Sequence, residues 1–425
     1  MIGKPLARLI LYCLCVSLLG CEKKKLEGTA DVPPDTPTTY NQARDVSPCW
    51  SHDGRRIAFL RSTEDRRMQL FVADPDLTEI SPLLEPELLS PDRDFGSERA
   101  RFTAPNVLVW SPDDHHIAFP RMDWFTFDDG ERLPGAGLWS LDVRNGRVVP
   151  LAVHPPKYRS QFYTYRSPQW SPDSRYISYV GEGINGQCVL YVRAIAAQSS
   201  QEVPPRFDEY EDSDGATWEP QTLPPALVYR RKIRRSWQSP TTDTLRRLIP
   251  GSVESAGSGE LTRITTPQLY RTLTGNEQPT IAAKYPAAYT QMAPRIGSLV
   301  ISPDGQRILF AVSPAPLDST KCQIAVYDRS TNRVRFLASN QKRGYFAPVW
   351  IDNRRFGALA TNGNKFDVML CRFSGETPLR LGTIESSDCD WSPDRSRVVY
   401  ASRLDKSERK TSLEILSTGL FISSP

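Results

Sequence analysis

The amino-acid sequence predicts an all-β fold, a β-propeller of six or seven four-stranded antiparallel blades, with seven the favoured count. Three observations lead to this prediction: a motif that recurs along the chain, a tight turn inside the copies, and a second hairpin after most of them. The 425 residues suit a single domain of this kind, because about 40 to 50 residues per blade account for nearly the whole chain.

The recurring motif is an aromatic anchor followed by a turn and an apolar strand. Its first three copies read WSHDGRRIAF, WSPDDHHIAF and WSPDSRYISY, and their tryptophans are 60 positions apart. Three further copies read ISPDGQRILF, WIDNRRFGAL and WSPDRSRVVY, the first with Ile as the anchor and the second shortened. A degraded seventh copy, WEPQTLPPALVY, keeps the aromatic residue and the closing apolar strand. Blades are therefore expected to start near residues 50, 110, 170, 218, 301, 350 and 391.

The turn in each copy predicts a β-hairpin. Pro presets φ, Asp bonds back to the nearby backbone, and Gly accepts a positive φ. The repeated aspartates are interpreted as structural turn residues: Asp53, Asp113, Asp173, Asp304 and Asp394. At the positive-φ position, Asp114 is an acceptable substitute for Gly, whereas Ser174 and Arg395 are poor ones. The turns with Ser174 and Arg395 are therefore expected to differ in shape.

A second hairpin follows most copies. Its first strand reads LFVAD, LWSLD, CVLYV, QIAVYD or DVMLC, and its turn is clearest at Asn145-Gly146, a strong two-residue hairpin signal. Two hairpins per copy make four strands, which is the composition of a propeller blade.

These repeats resemble those of TolB-like, WD-repeat-like β-propellers, which are also found in the propeller part of dipeptidyl peptidase IV relatives. The resemblance rests on PCWSHDGRRIAF, QWSPDSRYISY, VISPDGQRILF and DWSPDRSRVVY and covers roughly residues 45 to 420. It implies a propeller in the cell envelope. The chain departs from the pattern between Arg193 and Val300, where the expected blade is degraded and padded. It is also expected to lack the amino-terminal domain of TolB, so no TolB-specific partner is carried over.

Residues 1–20 are interpreted as a lipoprotein signal peptide. Lys4 and Arg8 precede an apolar run from Leu9 to Leu19, which is short for a membrane span of about 20 residues. The following Leu-Leu-Gly-Cys resembles the lipobox of bacterial lipoproteins, which implies acylation of Cys21. An ordinary secretory signal and an uncleaved anchor are the alternatives. Residues 21–44 are polar and rich in Pro and Thr, which predicts a flexible tether, and the propeller is assigned to residues 45–425.

The signal-peptide pattern and the resemblance to a lipobox imply an exported protein attached to a membrane by its acylated Cys21, and a monomer is expected. The expected location is the bacterial cell envelope, and Glu22 favours the periplasmic side of the outer membrane if the cell is Gram-negative. Loss of Lys4 and Arg8 lowers the basic count from 53 to 51 against 49 acidic residues, a net charge of +2. No nucleic-acid surface is indicated. The basic run YRRKIRRSW is interpreted as an exposed edge strand, in preference to a phosphate or anionic-surface site.

The cysteines allow a disulfide but do not require one. Five follow Cys21: Cys49, Cys188, Cys322, Cys371 and Cys389. Cys49 with Cys389 is the favoured pair, because each lies one or two residues before a repeat Trp in the first and last blades, which must touch if the ring closes. The alternative is that all five are buried thiols.

The sequence contains no recognisable catalytic motif, so an enzyme is not expected, and neither a cofactor nor a metal is predicted. Gly-x-Ser-x-Gly, His-Glu-x-x-His and paired Cys-x-x-Cys are all absent, which argues against a serine hydrolase and a zinc centre. His115-His116 occupies the position of Arg55-Arg56 in the first copy and is interpreted as surface variation.

Loop lengths nominate one face of the propeller as functional. With strands a to d counted from the axis outward, the short a–b and c–d turns lie on one face, here called the short-turn face. The b–c and d–a connections open on the other, the long-loop face, where the segments 120–137, 154–168 and 267–294 fall. Binding residues tend to lie on loops held by a rigid scaffold. The candidate partner-binding residues are aromatic and acidic: Asp123, Trp124, Phe125, Phe127, Asp128, Asp129, Tyr158, Phe162, Tyr163 and Tyr165. Packing at the top of the ring is an equal alternative for them.

The favoured function is that of a lipid-anchored envelope scaffold that binds a protein or peptide partner through the long-loop face. A carbohydrate-binding or hydrolytic propeller with carboxylates in the axial channel is the alternative, and a purely structural remnant is the third. How the ring closes is left open. The fourth strand of the last blade comes either from Gly419 to Ser423 or from the segment near Tyr40 to Val46.

Overall fold

The computed structural model confirms an all-β fold with seven blades arranged as a β-propeller, and the residues it describes contain no helix. Residues Asn41–Pro425 form one compact unit. The structure describes residues 44–62, 68–84, 108–126, 132–152, 163–182, 188–195, 201–202, 210–220, 222–234, 242–250, 259–265, 295–313, 322–337, 343–374, 376–405 and 410–420.

Each blade is built from strands a to d in chain order, and neighbouring strands within a blade are antiparallel. Blades 1 to 3 comprise β1 (Asp45–Trp50), β2 (Ile57–Ser62), β3 (Met68–Ala73), β4 (Ile80–Pro82); β5 (Val109–Trp110), β6 (His116–Thr126), β7 (Arg132–Asp142), β8 (Arg147–Ala152); and β9 (Tyr163–Trp170), β10 (Tyr176–Glu182), β11 (Cys188–Ala194), β12 (Gln201–Glu202). Blades 4 and 5 comprise β13 (Tyr210–Trp218), β14 (Leu227–Arg234), β15 (Thr242–Leu248), β16 (Gly259–Thr265); and β17 (Arg295–Ile301), β18 (Arg307–Ser313), β19 (Gln323–Asp328), β20 (Arg333–Leu337). Blades 6 and 7 comprise β21 (Tyr345–Trp350), β22 (Arg355–Asn362), β23 (Lys365–Arg372), β24 (Leu379–Ile384); and β25 (Cys389–Trp391), β26 (Arg397–Asp405), β27 (Lys410–Ser417).

The turn between strands a and b is closed by the same hydrogen bonds in five blades. In blade 1, Ser51 Oγ donates to Asp53 Oδ1 at 2.7 Å, and the same carboxylate oxygen accepts the N–H of Arg55 at 2.9 Å. Burial opposes the ionised form of Asp53, but these donors outweigh it and hold the pKa of its carboxyl below the usual value. The Ser–Asp bond recurs at Asp113, Asp173, Asp304 and Asp394. These side chains therefore shape the turns.

The a–b turns keep one shape whether or not glycine occupies the left-handed position. The residue four places after the anchor has a φ between 55° and 70° at Gly54, Asp114, Ser174, Gly305 and Arg395. The expectation that the turns with Ser174 and Arg395 differ in shape is therefore wrong. At Asp114 the side chain itself supports the arrangement, because its carboxylate accepts the N–H groups of His52 at 2.6 Å and Asp53 at 2.8 Å in the preceding blade. A side chain here joins successive turns, which glycine cannot do.

The anchor tryptophans join successive blades. In four blades the indole N–H donates to the carbonyl of the residue just before the preceding blade's anchor. The donor–acceptor pairs are Trp110 with Cys49 at 3.2 Å, Trp170 with Val109 at 3.2 Å, Trp218 with Gln169 at 3.0 Å and Trp350 with Val300 at 3.0 Å. Each indole also packs in the apolar layer between its two blades, where a hydrogen bond is shielded from water.

Four anchor tryptophans are also covered by a side chain of the preceding blade. The residue six places after one anchor stacks on the next anchor, with centroid separations of 4.6 to 6.2 Å: Arg56 on Trp110, His116 on Trp170, Tyr176 on Trp218 and Arg397 on Trp50. His116 therefore has a packing role, and burial lowers its pKa. The interpretation of His115-His116 as surface variation is correct only for the exposed His115.

Blade 4 is formed by the degraded copy and is joined to blade 5 in a different way. Blade 5 has Ile301 as its anchor and so has no indole. Glu219, which replaces the turn Ser and is 3% exposed, pairs with Arg247 of its own blade at 2.9 Å and with Arg329 of blade 5 at 2.6 Å. Burial opposes ionisation of Glu219, but the two arginines lower the pKa of this carboxyl. An ion pair thus stands where the indole bond is missing.

The basic run of blade 4 does not form an edge strand. Tyr229 to Arg234 lie on β14, which is hydrogen-bonded to β13 on one side and β15 on the other. The interpretation of this run as an exposed edge is therefore wrong. Arg230 is only 6% exposed.

Blade 7 meets blade 1 and closes the ring through two carboxylates, Asp390 of its inner strand and Asp388 just before that strand. The register of β1 against β2 shifts between Val46 and Cys49, and Ser47, within this irregularity, donates its N–H to Asp388 Oδ2 at 2.8 Å. The N–H of Trp50 donates to Asp390 Oδ2, also at 2.8 Å. Within the described residues, the Trp50 indole N–H has no hydrogen-bond partner. The seam therefore replaces the indole bond with two carboxylate bonds.

The origin of the outer strand of blade 7 is settled only in part by the described residues. Three strands of this blade are described. Asp45 and Val46 belong to β1, the inner strand of blade 1, so this part of the Tyr40–Val46 segment is not the outer strand of blade 7. Gly419 and Leu420 are not in a strand, and residues 421–423 of the other alternative lie outside the described residues.

Replacing Trp170 by Phe is expected to destabilise the protein more than replacing Trp50 by Phe. Both changes remove a similar volume from a buried site, but only Trp170 loses a hydrogen bond, the one that its indole N–H donates to the Val109 carbonyl. The difference in free energy of unfolding should be about 1 kcal/mol, measured by urea denaturation. An equal loss in both variants would mean that the indole bond adds nothing.

Replacing Asp388 by Asn is expected to remove one source of pH-dependent stability. Burial raises the pKa of Asp388 to about 6, above its value in an unfolded chain of about 4. Its contribution is thus fully present below pH of about 4 and lost as pH rises through about 6. The variant should be more stable than wild type at pH 8 by about 2 kcal/mol and similar to it at pH 4, as measured by thermal melting. The control is Asp76→Asn, a carboxylate at the same seam that is 76% exposed. If both variants follow the wild-type pH curve, Asp388 does not titrate in this way.

Candidate functional site

The first candidate cluster on the long-loop face lies on a regular hairpin. Asp123, Trp124 and Phe125 are in β6, paired with Gly135, Pro134 and Leu133 of β7. The prediction of an irregular loop between residues 120 and 137 is therefore wrong for most of that segment. Both strands have 11 residues, against six to nine for the second strands of the other blades. Phe127, Asp128 and Asp129 lie outside the described residues.

The second candidate segment joins the same sheet. β9 of blade 3 pairs in parallel with β7 of blade 2, with Tyr163 opposite Gly135. Since Gly135 is also opposite Asp123, the three backbone positions form one row across three strands. The structure therefore brings the two segments together at the boundary of blades 2 and 3. Tyr158 and Phe162 fall outside the part of the chain that is described.

Tyr165 belongs to the core. It is 7% exposed and packs edge-on against Tyr179 at 5.6 Å and Tyr191 at 6.0 Å between ring centroids. Gly181 provides the room, because a Cβ there would lie 2.9 Å from the Tyr191 ring and 3.2 Å from the Tyr165 ring. The Tyr165 ring is therefore not available to a partner, and the packing alternative holds for this residue.

The favoured disulfide is not formed. Cys49 and Cys389 are both free thiols, as are Cys322 and Cys371. The first and last blades do meet, but the two side chains diverge, because Cys49 packs toward blade 2 and Cys389 toward blade 6. Burial raises the pKa of both thiols well above the usual value, so the reactive thiolate is disfavoured.

Two further features concern metals and membranes. No group of three or more His, Cys, Asp or Glu within the described residues is placed to hold a metal ion. In the same part of the chain, no helix is long and apolar enough to cross a membrane. Cys21 and the preceding 20 residues lie outside it.

Sequence reasoning missed a notch on the short-turn face, between blades 5 and 6. This cavity of about 650 Å³ is lined by Arg307, Asp352, Asn353, Arg354, Arg355, Arg372, Phe373, Ser374 and Glu376. Four guanidinium groups face two carboxylates in the lining, and since Arg307 also pairs with Asp328 at 3.3 Å, one excess positive charge remains. The signal was present in the shortened copy WIDNRRFGAL: Trp350 pairs with Phe356, six places on, whereas Trp50 pairs with Ile57, seven places on.

The chain was compared with known proteins and with solved structures. No protein-family model matches the sequence, and no curated protein matches it. Among solved structures it is similar to the β-propeller domain of the Trilobed protease from Pyrococcus furiosus, with 13% identity over 90% of this chain and 100% of that chain and a TM-score of 0.51. It is also similar to a prolyl endopeptidase, with 12% identity over 90% of this chain and a TM-score of 0.50.

Coverage and identity limit what these similarities imply. The chain spans 51% of the prolyl endopeptidase. TolB from Acinetobacter baumannii matches with 13% identity, over 81% of this chain and 65% of that chain, at a TM-score of 0.39. At such identities, the two similarities with TM-scores of 0.50 and 0.51 show that this chain shares the β-propeller fold, and they show the fold alone.

Proposed function

We propose that this protein is a lipid-anchored, monomeric scaffold of the bacterial cell envelope that binds a protein or peptide partner through the long-loop face. The observation that carries the proposal is the shared sheet at the boundary of blades 2 and 3. Propellers use their connections to bind partners because the ring beneath them is rigid. Here β6 continues five residues beyond the length of β2, 11 against six, which adds about 15 Å of strand.

The residue types on this hairpin suit a protein partner. Trp124, Phe125 and Tyr163 provide aromatic groups, which are frequent anchors of interfaces, and Asp123 adds a charge. The β7–β9 pairing ties the hairpin to the next blade. A hairpin paired along one edge with the next blade loses less conformational entropy when it binds than a free loop would.

The lipid anchor supports the location. Acylation of Cys21 would attach the chain to a membrane, and the polar segment that follows would let the propeller reach partners nearby. Similarity of the Leu-Leu-Gly-Cys run to a lipobox is the basis for this step.

A hydrolytic role for carboxylates near the axis receives less support. Asp390 lies on β25, the innermost strand of blade 7, and Asp388 directly precedes that strand, but each accepts a backbone N–H of blade 1. These bonds occupy the two carboxylates in closing the ring. We therefore keep the binding proposal.

The test is in-cell crosslinking of the tagged protein followed by capture, comparing wild type with Trp124→Ala/Phe125→Ala. We expect one envelope protein captured by wild type to fall about tenfold or more in the variant, because truncation of aromatic anchors costs about 2 kcal/mol or more.

The matched control is Ile80→Ala/Leu223→Ala, which truncates two exposed apolar side chains on the short-turn face. It should capture as much partner as wild type does. Equal capture by all three proteins, with equal melting temperatures, would contradict binding through the long-loop hairpin.

A further inference from the structure

We propose that the notch between blades 5 and 6 binds an acidic peptide segment of a partner protein. It lies on the short-turn face, opposite the long-loop hairpin, so it would be a second and separate binding surface. The cavity volume of about 650 Å³ is within the range of ligand sites, about 300 to 1,000 Å³.

The notch arises from two local departures from the repeat. The a–b turn of blade 6 is one residue shorter than that of blade 5, since Trp350 pairs with Phe356 and Ile301 with Ile308. In addition, the N–H of Phe373 donates to the Arg354 carbonyl, as the N–H of Val143 in blade 2 donates to the His115 carbonyl, so Phe373 and Val143 hold equivalent positions. A large aromatic ring thus occupies a position held by a smaller side chain in blade 2.

Arg307 shows the consequence. Its equivalents in blades 1 and 7 stack on the next anchor Trp, whereas Arg307 lies over Phe373 at 4.4 Å. Arg335 lies over the same ring at 3.8 Å and donates to the Phe373 carbonyl at 2.8 Å. Two guanidinium groups are therefore held against one ring, and the space beside it remains open.

The charges of the notch favour an anion. Arg355 is neutralised by Asp352 at 2.7 Å, and Arg372 pairs with Glu376. Arg354 is exposed and forms no ion pair within the described residues. Planar guanidinium groups suit carboxylates, which they can bind through two parallel hydrogen bonds.

The distribution of charge favours a peptide over a compact anion. Asp352 and Glu376 lie among the arginines and repel a small ion of high charge. An extended peptide instead places successive carboxylates on one side about 7 Å apart, so one carboxylate can pair with Arg354 without a second charge at the same place. Phe373 offers an apolar contact for the residues between.

The experiment is fluorescence anisotropy of labelled hexaglutamate with the purified full chain in detergent, at about 50 mM salt, where exposed charges are weakly screened. We expect Arg354→Glu to weaken binding about tenfold, since one attraction becomes a repulsion. The control is Arg147→Glu, which makes the same charge change at an exposed position on the same face of blade 2. It should stay within about twofold of wild type.

Three results would overturn the proposal. The first is equal weakening by Arg147→Glu, which would indicate attraction to net charge alone. The second is displacement of the peptide by inorganic phosphate at similar concentration, which would indicate a small-anion site. The third is binding to phosphatidylglycerol vesicles, lost in Arg354→Glu, with no binding of hexaglutamate, which would indicate a membrane contact. Trp124→Ala/Phe125→Ala should bind hexaglutamate like wild type, so the two proposals can fail separately.

Discussion

The indole-to-carbonyl hydrogen bond between successive blades is the interaction on which this propeller depends. In four of the seven blades, a Trp ends the inner strand, fills the apolar layer between two sheets, and donates to the strand before it. Because both groups are buried, leaving either one unpaired costs more than the bond itself contributes. The bond therefore fixes how far one blade sits from the next, and the turn and stacking contacts are built around that spacing.

Two of the boundaries without this bond have their own substitute among the described residues. Between blades 4 and 5, where Ile301 cannot donate, the buried Glu219 pairs with arginines of both blades. Between blades 7 and 1, two aspartates accept backbone N–H groups and the Trp50 indole is left without a partner. The ring closes between the first and last blades, which differ from the interior repeats. Replacement of the indole bond is therefore least disruptive to the repeat at this seam.

Much of the fold could be predicted from the sequence because the repeat carries it. Seven anchors, the turn aspartates and the third strands predicted seven blades, including the degraded one at Trp218. The prediction of a Cys49–Cys389 disulfide was wrong because it ignored the alternation of side chains along a strand. Cys49 is one place before its Trp and Cys389 is two places before its Trp, so the two side chains face opposite sides of their sheets. The prediction that the turns at Ser174 and Arg395 differ in shape was wrong because the common Ser–Asp bonds fix the backbone of these turns. The hairpin of residues 120–137 was misjudged because its Pro and Gly residues suggested a loop, whereas pairing with β9 on one side supports it.

A ring of similar blades has no natural place to bind one partner, because each contact is repeated around the axis. Specific binding therefore requires local departures from the repeat, and two of those among the described residues lie on opposite faces. On the long-loop face, β6 and β7 extend and pair with the next blade. On the short-turn face, the loss of one residue at Asp352 to Arg355 opens a notch beside a turn that is shorter than the common one. Both departures leave the indole bonds of their blades in place, so the ring keeps its rigidity while the two faces become distinct.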